Sequence, residues 1–176
     1  ALFRLWDREH RLIKLLDPPY SDRERSPGYI TGYGEGFREN GGQDTHGAIW
    51  LAVAALCLGR HAEGTAMLET LLPETHEERR YQAEPFVLPA DICTARGHEG
   101  LAGWTWYTGS AGWYFRAVTQ ELLGLRMRDG KLYIDYPVLP EFSVHWTDDA
   151  GVTHTIERSP GGITVDGKSY DGGGIG

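Results

Sequence analysis

The stretch Gly124-Leu-Arg-Met-Arg-Asp-Gly-Lys-Leu-Tyr-Ile-Asp135 divides this chain into two unlike halves. From Gly124 onward the apolar residues recur at every second position, and Asp129-Gly130 is the dipeptide that a two-residue hairpin turn prefers. The stretch reads as two antiparallel strands. Beyond it, Phe142 to Trp146, Val152 to Glu157 and Ile163 to Val165 read as further short strands, separated by Asp-Asp-Ala-Gly and Ser-Pro-Gly-Gly turns. Asp171 to Gly176 reads as a tail.

Before Gly124 the pattern is helical. Ala1 to Leu16 places apolar residues at Leu2, Leu5, Trp6, Ile13 and Leu16 and stops at Asp17-Pro18-Pro19, which predicts one helix. Ser21 to Gly42 has no period and is punctuated by glycines, so it reads as a long shaped loop. Ala48 to Leu58 is apolar on every face, with Asp44 or Thr45 as its cap and Gly59 as its stop, and is expected to be buried. His61 to Leu72 reads as an amphipathic outer helix ended by Pro73. Ala83 to Ala95 reads as a third apolar helix with Pro85 in its first turn, and Ser110 to Leu123 as a fourth helix stopped by Gly124. Buried helices alternating with amphipathic ones build α/α barrels, and so few helices do not close a ring. The expected fold is α then β: an incomplete helical barrel over residues 1–124, truncated at its N-terminal side, followed by a small antiparallel β domain over 125–176.

Composition narrows the function. The chain has 176 residues, 40% hydrophobic and 24% charged, which is globular rather than disordered. Lys and Arg total 17 against 25 for Asp and Glu, and the net charge of −8 disfavours nucleic acid and anionic membranes as partners. The longest apolar run, Ala48 to Leu58, is about half of the ~20 residues that a membrane span needs. Cys57 and Cys93 both sit in apolar stretches and read as reduced, buried thiols, so a reducing, cytoplasmic setting is expected. The first residues have neither a start methionine nor the order of a signal peptide, which reads as the interior of something longer.

Two segments are rich in groups that handle polar ligands. In Tyr33-Gly-Glu-Gly-Phe-Arg-Glu-Asn-Gly-Gly-Gln-Asp-Thr-His46, glycines allow close backbone approach, and Arg38, Glu39, Asn40, Gln43 and His46 offer donors and acceptors at a helix start. In Gly103-Trp-Thr-Trp-Tyr-Thr-Gly-Ser-Ala-Gly-Trp113, aromatic faces suited to stacking on sugar rings flank a Thr108-Gly109-Ser110 turn that leads into a helix. Structural readings stand beside these: a connecting loop with an Arg38–Glu39 surface ion pair, His46 at a core edge, and Trp104, Trp106 and Trp113 as a wedge between domains. Glu84, before Pro85, reads either as functional or as a complement to a helix dipole. The sequence has no zinc spacing, phosphate-binding P-loop, dinucleotide fingerprint or nucleophile elbow.

On the segments Arg38-Glu-Asn-Gly-Gly-Gln-Asp-Thr-His46 and Trp104-Thr-Trp-Tyr-Thr-Gly-Ser-Ala-Gly-Trp113, with Glu84-Pro85 between them and the hairpin after Gly124, the sequence resembles the glycoside phosphorylases of glycoside hydrolase family 94. These include cellobiose and chitobiose phosphorylases and the phosphorylase-like region of cyclic β-1,2-glucan synthases. The resemblance covers roughly residues 1 to 145 and implies the C-terminal part of an (α/α)6 barrel followed by a small antiparallel β domain. It implies that His46, Thr108 and Gly109 bind phosphate and that Tyr33, Arg38 and Glu39 line the sugar subsites; Gln43, Trp104 and Trp106 join them as substrate-binding candidates.

The implied reaction is reversible, inverting phosphorolysis of a β-glucoside to α-glucose 1-phosphate, with phosphate as co-substrate, no metal and no cofactor. The family's general-acid aspartate lies far upstream of the Glu-Asn-Gly-Gly motif, so no catalytic residue is expected in this chain, which alone should be inactive. Asp7, Asp17 and Asp22 do not stand in that aspartate's motif. Asp44 occupies a position where relatives usually carry an aromatic residue, and a carboxylate there repels an anion unless neutralised or turned away. Expected partners are a β-linked gluco-oligosaccharide, phosphate, the N-terminal part of the enzyme and a second copy in a homodimer. The alternatives are an inverting hydrolase or transglycosylase on the same barrel, with Asp44 holding water or a sugar hydroxyl, and a non-catalytic carbohydrate-binding module using the tryptophans.

Overall fold

The computed structural model describes residues 2–21, 27–106 and 108–176, so Asp22 and Tyr107 lie outside the described residues. It is a mixture of helix and antiparallel sheet in two compact units, Ala1–Phe115 and Arg116–Gly176.

The first unit runs α1 (Leu2–Leu5), β1 (Trp6–Asp7), β2 (Leu12–Ile13), a 3-10 turn (Tyr29–Gly32), β3 (Gln43–Asp44), α2 (Thr45–Cys57), α3 (His61–Thr70), a 3-10 turn (Pro73–Thr75), α4 (Glu78–Tyr81), β4 (Asp91–Ile92), β5 (Ala102–Gly103) and α5 (Thr108–Arg116). The single helix expected over 1–16 is not formed. Trp6 pairs with Ile13 and Asp7 with Leu12 in a small hairpin. Asp7 accepts the His10 N–H at 3.1 Å, and Arg11 takes a left-handed φ of 56°. The hairpin buries both Leu12 and Ile13, on its two faces, to 1% exposure or less.

α2 starts where its cap predicts: the Asp44 carboxylate accepts the Gly47 N–H at 3.3 Å. α3 packs against it, and Gly64 makes this possible, since a Cβ there would lie 2.6 Å from Leu56 Cγ. Full burial of α2 is not observed. Trp50, Ala54, Cys57 and Leu58 recur at helical spacing on one exposed face, with Trp50 at 53% and Leu58 at 76%. Cys57 is therefore an exposed thiol, and only Cys93 is the buried one expected.

The apolar helix expected over 83–95 is also absent. Gln82 takes a left-handed φ of 53° at the end of α4, and Pro85 and Pro89 lack the N–H groups that a helix would use. The segment turns at 84–87 instead, where the Val87 N–H donates to Glu84 O at 3.3 Å, and then enters the two-residue β4.

The second unit opens with a π-helical continuation of α5 (Ala117–Leu122), followed by β6 (Leu125–Arg128), β7 (Lys131–Ile134), β8 (Phe142–Thr147), β9 (Thr153–Ser159), β10 (Gly162–Val165) and β11 (Lys168–Ser169). The expected hairpin is present. Asp129 and Gly130, at φ 51° and 74°, make the two positive-φ corners between β6 and β7. β8 to β11 form one antiparallel sheet in chain order. Leu132, Ile134, Ile156 and Ile175 form the core of this unit, with Phe142, Trp146 and Tyr170 packed on it. The terminal residues are not a free tail, because Leu132 and Ile175 exchange both backbone hydrogen bonds, at 2.9 and 3.0 Å.

At one end of this sheet His154 stands between two carboxylates. Its Nδ1 lies 2.9 Å from Asp166 and its Nε2 3.5 Å from Asp148, while Trp146 stacks on its ring. The hydrogen bond to Asp166 raises the His154 pKa above its ordinary 6.5, against the opposing effect of burial. Backbone N–H groups, of Val152 on Asp148 and of Thr155 on Asp166, lower both carboxyls below 3.8.

A raised histidine pKa stabilises the fold fully below 6.5, and that stability is lost as pH rises through the shifted value. The lowered carboxyls contribute above 3.8 and lose their share as pH falls. Thermal melts followed through tryptophan fluorescence should therefore give the second unit a higher melting temperature at about pH 5.5 than at about pH 8.5. His154→Gln should remove most of that difference; an unchanged difference would show that the clamp does not contribute.

Candidate functional site

Three segments remote in sequence meet through β3, β4 and β5. Gln43 pairs with Ile92 and Asp44 with Asp91; Asp91 then pairs with Gly103 and Ile92 with Ala102. Side chains alternate between the faces of a strand, so this register sends Gln43 and Ile92 into the core together and puts Asp44 and Asp91 side by side on the opposite face. Gly103 belongs to the same arrangement. A Cβ there would come within 2.8 Å of both Asp91 carboxylate oxygens, so glycine makes room for the carboxylate.

The glycine-rich loop before β3 is shaped from within. Asn40 is 1% exposed; its side chain donates to Tyr33 O at 2.9 Å and Tyr20 O at 3.0 Å and accepts Tyr20 N–H at 2.8 Å. The Thr94 hydroxyl donates to Gly41 O at 2.7 Å, and its N–H to Gly36 O at 2.8 Å. Gly36 has a φ of 83°, and a Cβ there would lie 2.4 Å from Ala95 N. Held in this way, the loop turns Arg38 into the left-handed region at φ 47° and presents its side chain.

The outcome is a cavity of about 220 Å3 lined by Arg38, Glu39, Asp44, His46, Ala90, Asp91, Gly109 and Ser110. The Arg38 guanidinium lies 4.3 Å from the Trp104 ring centre and 5.6 Å from that of Tyr33, and its Nε is 3.7 Å from Glu39 Oε2. His46 meets Trp50 edge to face at a ring distance of 4.9 Å and lies tilted against Trp113 at 5.8 Å. Burial pushes the Asp91 carboxyl up from its ordinary value; Arg38 opposes the rise, and the charges of Glu39 and Asp44 add to it. Arg38 Nε, Glu39 Oε2, His46 Nε2 and Asp91 Oδ1 are all buried without a hydrogen-bond partner among the described residues. Buried polar atoms are seldom left so, which makes this pocket the place where a ligand's polar groups are called for.

Of the residues singled out in the sequence, Arg38, Glu39, His46 and Gly109 come together in this pocket, and so does Asp44. Gln43 does not line it: its side chain is 1% exposed and accepts the Ile13 N–H at 2.8 Å inside the core. Thr108 is exposed at the first turn of α5 and lies outside the lining. Tyr33 stacks on Arg38 and lines a separate polar recess with Tyr20 and Glu35. Trp104 carries Arg38 on its face, and Trp113 packs against His46 and Trp50 within the first unit. Glu84 begins no helix; it accepts the Trp106 indole N–H at 3.0 Å, beside a different groove. Ser110, of the Thr108-Gly109-Ser110 turn, also lines the pocket, whereas Asp91 is a pocket residue that the sequence reading does not single out. A lone carboxylate between Leu88-Pro-Ala and Ile92-Cys was the available signal for Asp91, and the helical reading of that segment hid it.

With the geometry set out, the catalytic-domain model of the glycosyl hydrolase 94 superfamily matches residues 4–124, well over half of the chain. This chain belongs to the glycosyl hydrolase 94 superfamily. It is 39% identical over 163 residues to the cyclic β-(1,2)-glucan synthase NdvB of Rhizobium meliloti, a match covering 90% of this chain. It is also 35% identical over 112 residues to solabiose phosphorylase of Paenibacillus borealis and 28% identical over 163 residues to N,N'-diacetylchitobiose phosphorylase of Vibrio furnissii, covering 62% and 86% of this chain. The chain spans 6%, 15% and 20% of the lengths of these three relatives. The family match contains every residue that lines the pocket, and this member of the superfamily has an acidic residue, Asp44, doing two things at once: it caps α2 and lines the pocket.

That double role can be separated by substitution. Asp44→Ala should destabilise the first unit by about 1 kcal/mol through loss of the cap, and Asp44→Asn, whose amide oxygen can still accept the Gly47 N–H, should cost much less. Urea melts of the two variants make the comparison.

Proposed function

We propose that this chain supplies the sugar- and phosphate-binding part of a glycoside phosphorylase that cleaves a β-linked glucan, with inversion, to α-glucose 1-phosphate. In this reading residues 1–124 belong to an (α/α)6 barrel and 125–176 to the β domain after it. The observation that carries the proposal is the set of four buried atoms in one pocket that no hydrogen bond among the described residues satisfies: Arg38 Nε and His46 Nε2 on the basic side groups, Glu39 Oε2, which forms only a long ion pair with Arg38, and Asp91 Oδ1 on the acidic ones. Sugar hydroxyls donate as well as accept, so they suit Glu39 and Asp91, which only accept when ionised. Phosphate oxygens mainly accept, and suit Arg38, His46 and the positive end of the α5 dipole at Thr108 and Gly109. Two of the relatives above are phosphorylases by name, which supports the same reading.

In the proposed reaction phosphate takes the place of the activated water of an inverting hydrolase, so one acid suffices and no protein base is needed. The acid comes from outside this chain, and the residues here bind and orient. His46, wedged against two tryptophans, keeps its Nε2 toward the phosphate. Arg38, stacked on Trp104, offers its guanidinium between phosphate and sugar. The carboxylate of Asp44 is partly offset by the α2 N-terminus that it caps, which lessens its repulsion of the anion. A second reading, an inverting hydrolase or transglycosylase, draws on another observation: Asp44 and Asp91 are strand partners at the pocket, placed to hold a water or a sugar hydroxyl.

The test is release of glucose 1-phosphate from short β-1,2- and β-1,4-linked gluco-oligosaccharides by the protein that contains this sequence, with and without phosphate. Phosphate-dependent release is expected, and His46→Ala should lower kcat/KM for phosphate by about 100-fold. Asp91→Asn should raise KM for the glucan about tenfold while phosphate dependence persists, about the cost of one weakened hydrogen bond to a charged group. Free glucose released regardless of phosphate would favour the hydrolase reading, and binding without turnover a carbohydrate-binding role.

A further inference from the structure

We infer that Asp44 makes the pocket selective for oxyanions that carry a proton, phosphate above all, and turns away sulfate; this rests on the reading of the pocket as a phosphate site. Asp44 lines the pocket two residues before His46, so an acceptor and a basic ring are presented from the same helix start. One carboxylate oxygen, Oδ2, accepts the Gly47 N–H at 3.3 Å. The other, Oδ1, has no hydrogen-bond partner among the described residues and is left for a ligand. Glu39, by contrast, is drawn toward Arg38, with Oε2 at 3.7 Å from the guanidinium Nε.

The seat of this carboxylate is built into the backbone. A Cβ at position 47 would lie 3.2 Å from Asp44 Oδ2 and 3.1 Å from Leu15 Cδ1, so Gly47 leaves room for the capping oxygen. The strand register sets Asp44 opposite Asp91, and the pocket holds three carboxylates, of Glu39, Asp44 and Asp91, against the Arg38 guanidinium and the His46 ring. The crowding is visible at Asp91, whose carboxyl is pushed up by burial and by the charges of Glu39 and Asp44, against Arg38. A ligand that brings a proton of its own relieves that repulsion, and one that brings only negative charge adds to it.

Near neutral pH inorganic phosphate keeps at least one P–OH group, and so does arsenate its As–OH, whereas sulfate keeps none. Phosphate can therefore donate its hydroxyl to Asp44 Oδ1 while its other oxygens accept from Arg38 Nε and His46 Nε2, the two buried nitrogens without a hydrogen bond among the described residues. Sulfate satisfies the same two nitrogens but sets an oxygen against Oδ1 with no proton between them. A site built to hydrogen-bond a hydroxyl of its ligand discriminates strongly against the analogue that lacks it, because its own polar group is then left unpaired. The carboxylate that weakens the binding of anions in general thus sorts among them, which is specificity gained through a repulsive element.

The test measures sulfate and arsenate as competitors of phosphate in phosphorolysis by the protein that contains this sequence. For the unaltered protein, the inhibition constant of sulfate should exceed KM for phosphate by about 100-fold, and that of arsenate should lie within about tenfold of it. Asp44→Asn keeps an oxygen for the Gly47 N–H and sets an amide N–H in place of Oδ1, so the sulfate-to-phosphate ratio should fall by about tenfold or more. Asp44→Ser, which also caps a helix well, should lower the ratio in the same direction. A ratio unchanged in both variants, or sulfate binding as well as phosphate in the unaltered protein, would overturn the role of Asp44 and leave the phosphorylase reading standing. If no phosphate-dependent turnover occurs, calorimetric titration with phosphate and with sulfate takes the place of the kinetics. A preference for phosphate that shrinks in Asp44→Asn supports the selectivity although the phosphorylase reading fails; equal binding of the two anions, or binding of neither, overturns it.

Discussion

The register of one very small sheet governs the rest of the first unit. β3, β4 and β5 are two residues each, yet their pairing decides which of Gln43, Asp44, Asp91 and Ile92 face the core and which face the pocket. Slipping any strand by one residue would bury the two carboxylates and expose the Gln43 amide and Ile92. Gln43 guards against that slip. Its carbonyl takes the Ile13 N–H inside the core, a bond whose loss would strand a buried donor, so the sheet, the first hairpin and the pocket wall hold each other in place.

The electrostatics of the pocket follow from this geometry. Three carboxylates and one guanidinium in a partly dry cavity repel one another on balance, and the upward shift of Asp91 expresses that repulsion together with burial. The fold tolerates it by local means: a helix N-terminus against Asp44, an absent side chain at Gly103 beside Asp91, and Arg38 stacked between Tyr33 and Trp104 so that its charge stays near the acids. Such an arrangement is poor as a salt bridge, with Arg38 and Glu39 at 3.7 Å, and well suited to groups that a ligand completes.

The surface around Trp106 and the second unit rest on different forces. Around Trp106 the ordering is polar, through Glu84, and leaves aromatic surface open to the solvent. The second unit relies on alternation in its strands and on the closing pair of Leu132 with Ile175, which bring Ile134, Ile156 and Ile175 into one apolar core. Burying each such side chain is worth about 1.5–3 kcal/mol, and this is what a unit of short strands has to stabilise it.

Local chemistry made much of this legible in the sequence. The Asp129-Gly130 hairpin, the later strands, the cap and stop of α2, and the family resemblance carried by Arg38 to His46 and Trp104 to Trp113 all depend on residues close together in the chain, where turn geometry, alternation and capping act directly. The failures share the opposite cause. Ala1 to Leu16 and Ala83 to Ala95 have enough apolar residues for a helix, yet one became a hairpin and the other a turn leading into a two-residue strand because partners some thirty to fifty residues away offered Ile13, Asp91 and Ile92 better company. The sequence by itself determined the family, the change from helix to sheet at Gly124, and which residue types could meet a sugar or an anion. Tertiary structure decided that Gln43 serves the core, that Asp91 serves the pocket and that Trp104 carries Arg38, because hydrogen-bond register and stacking between distant segments are settled only when those segments meet.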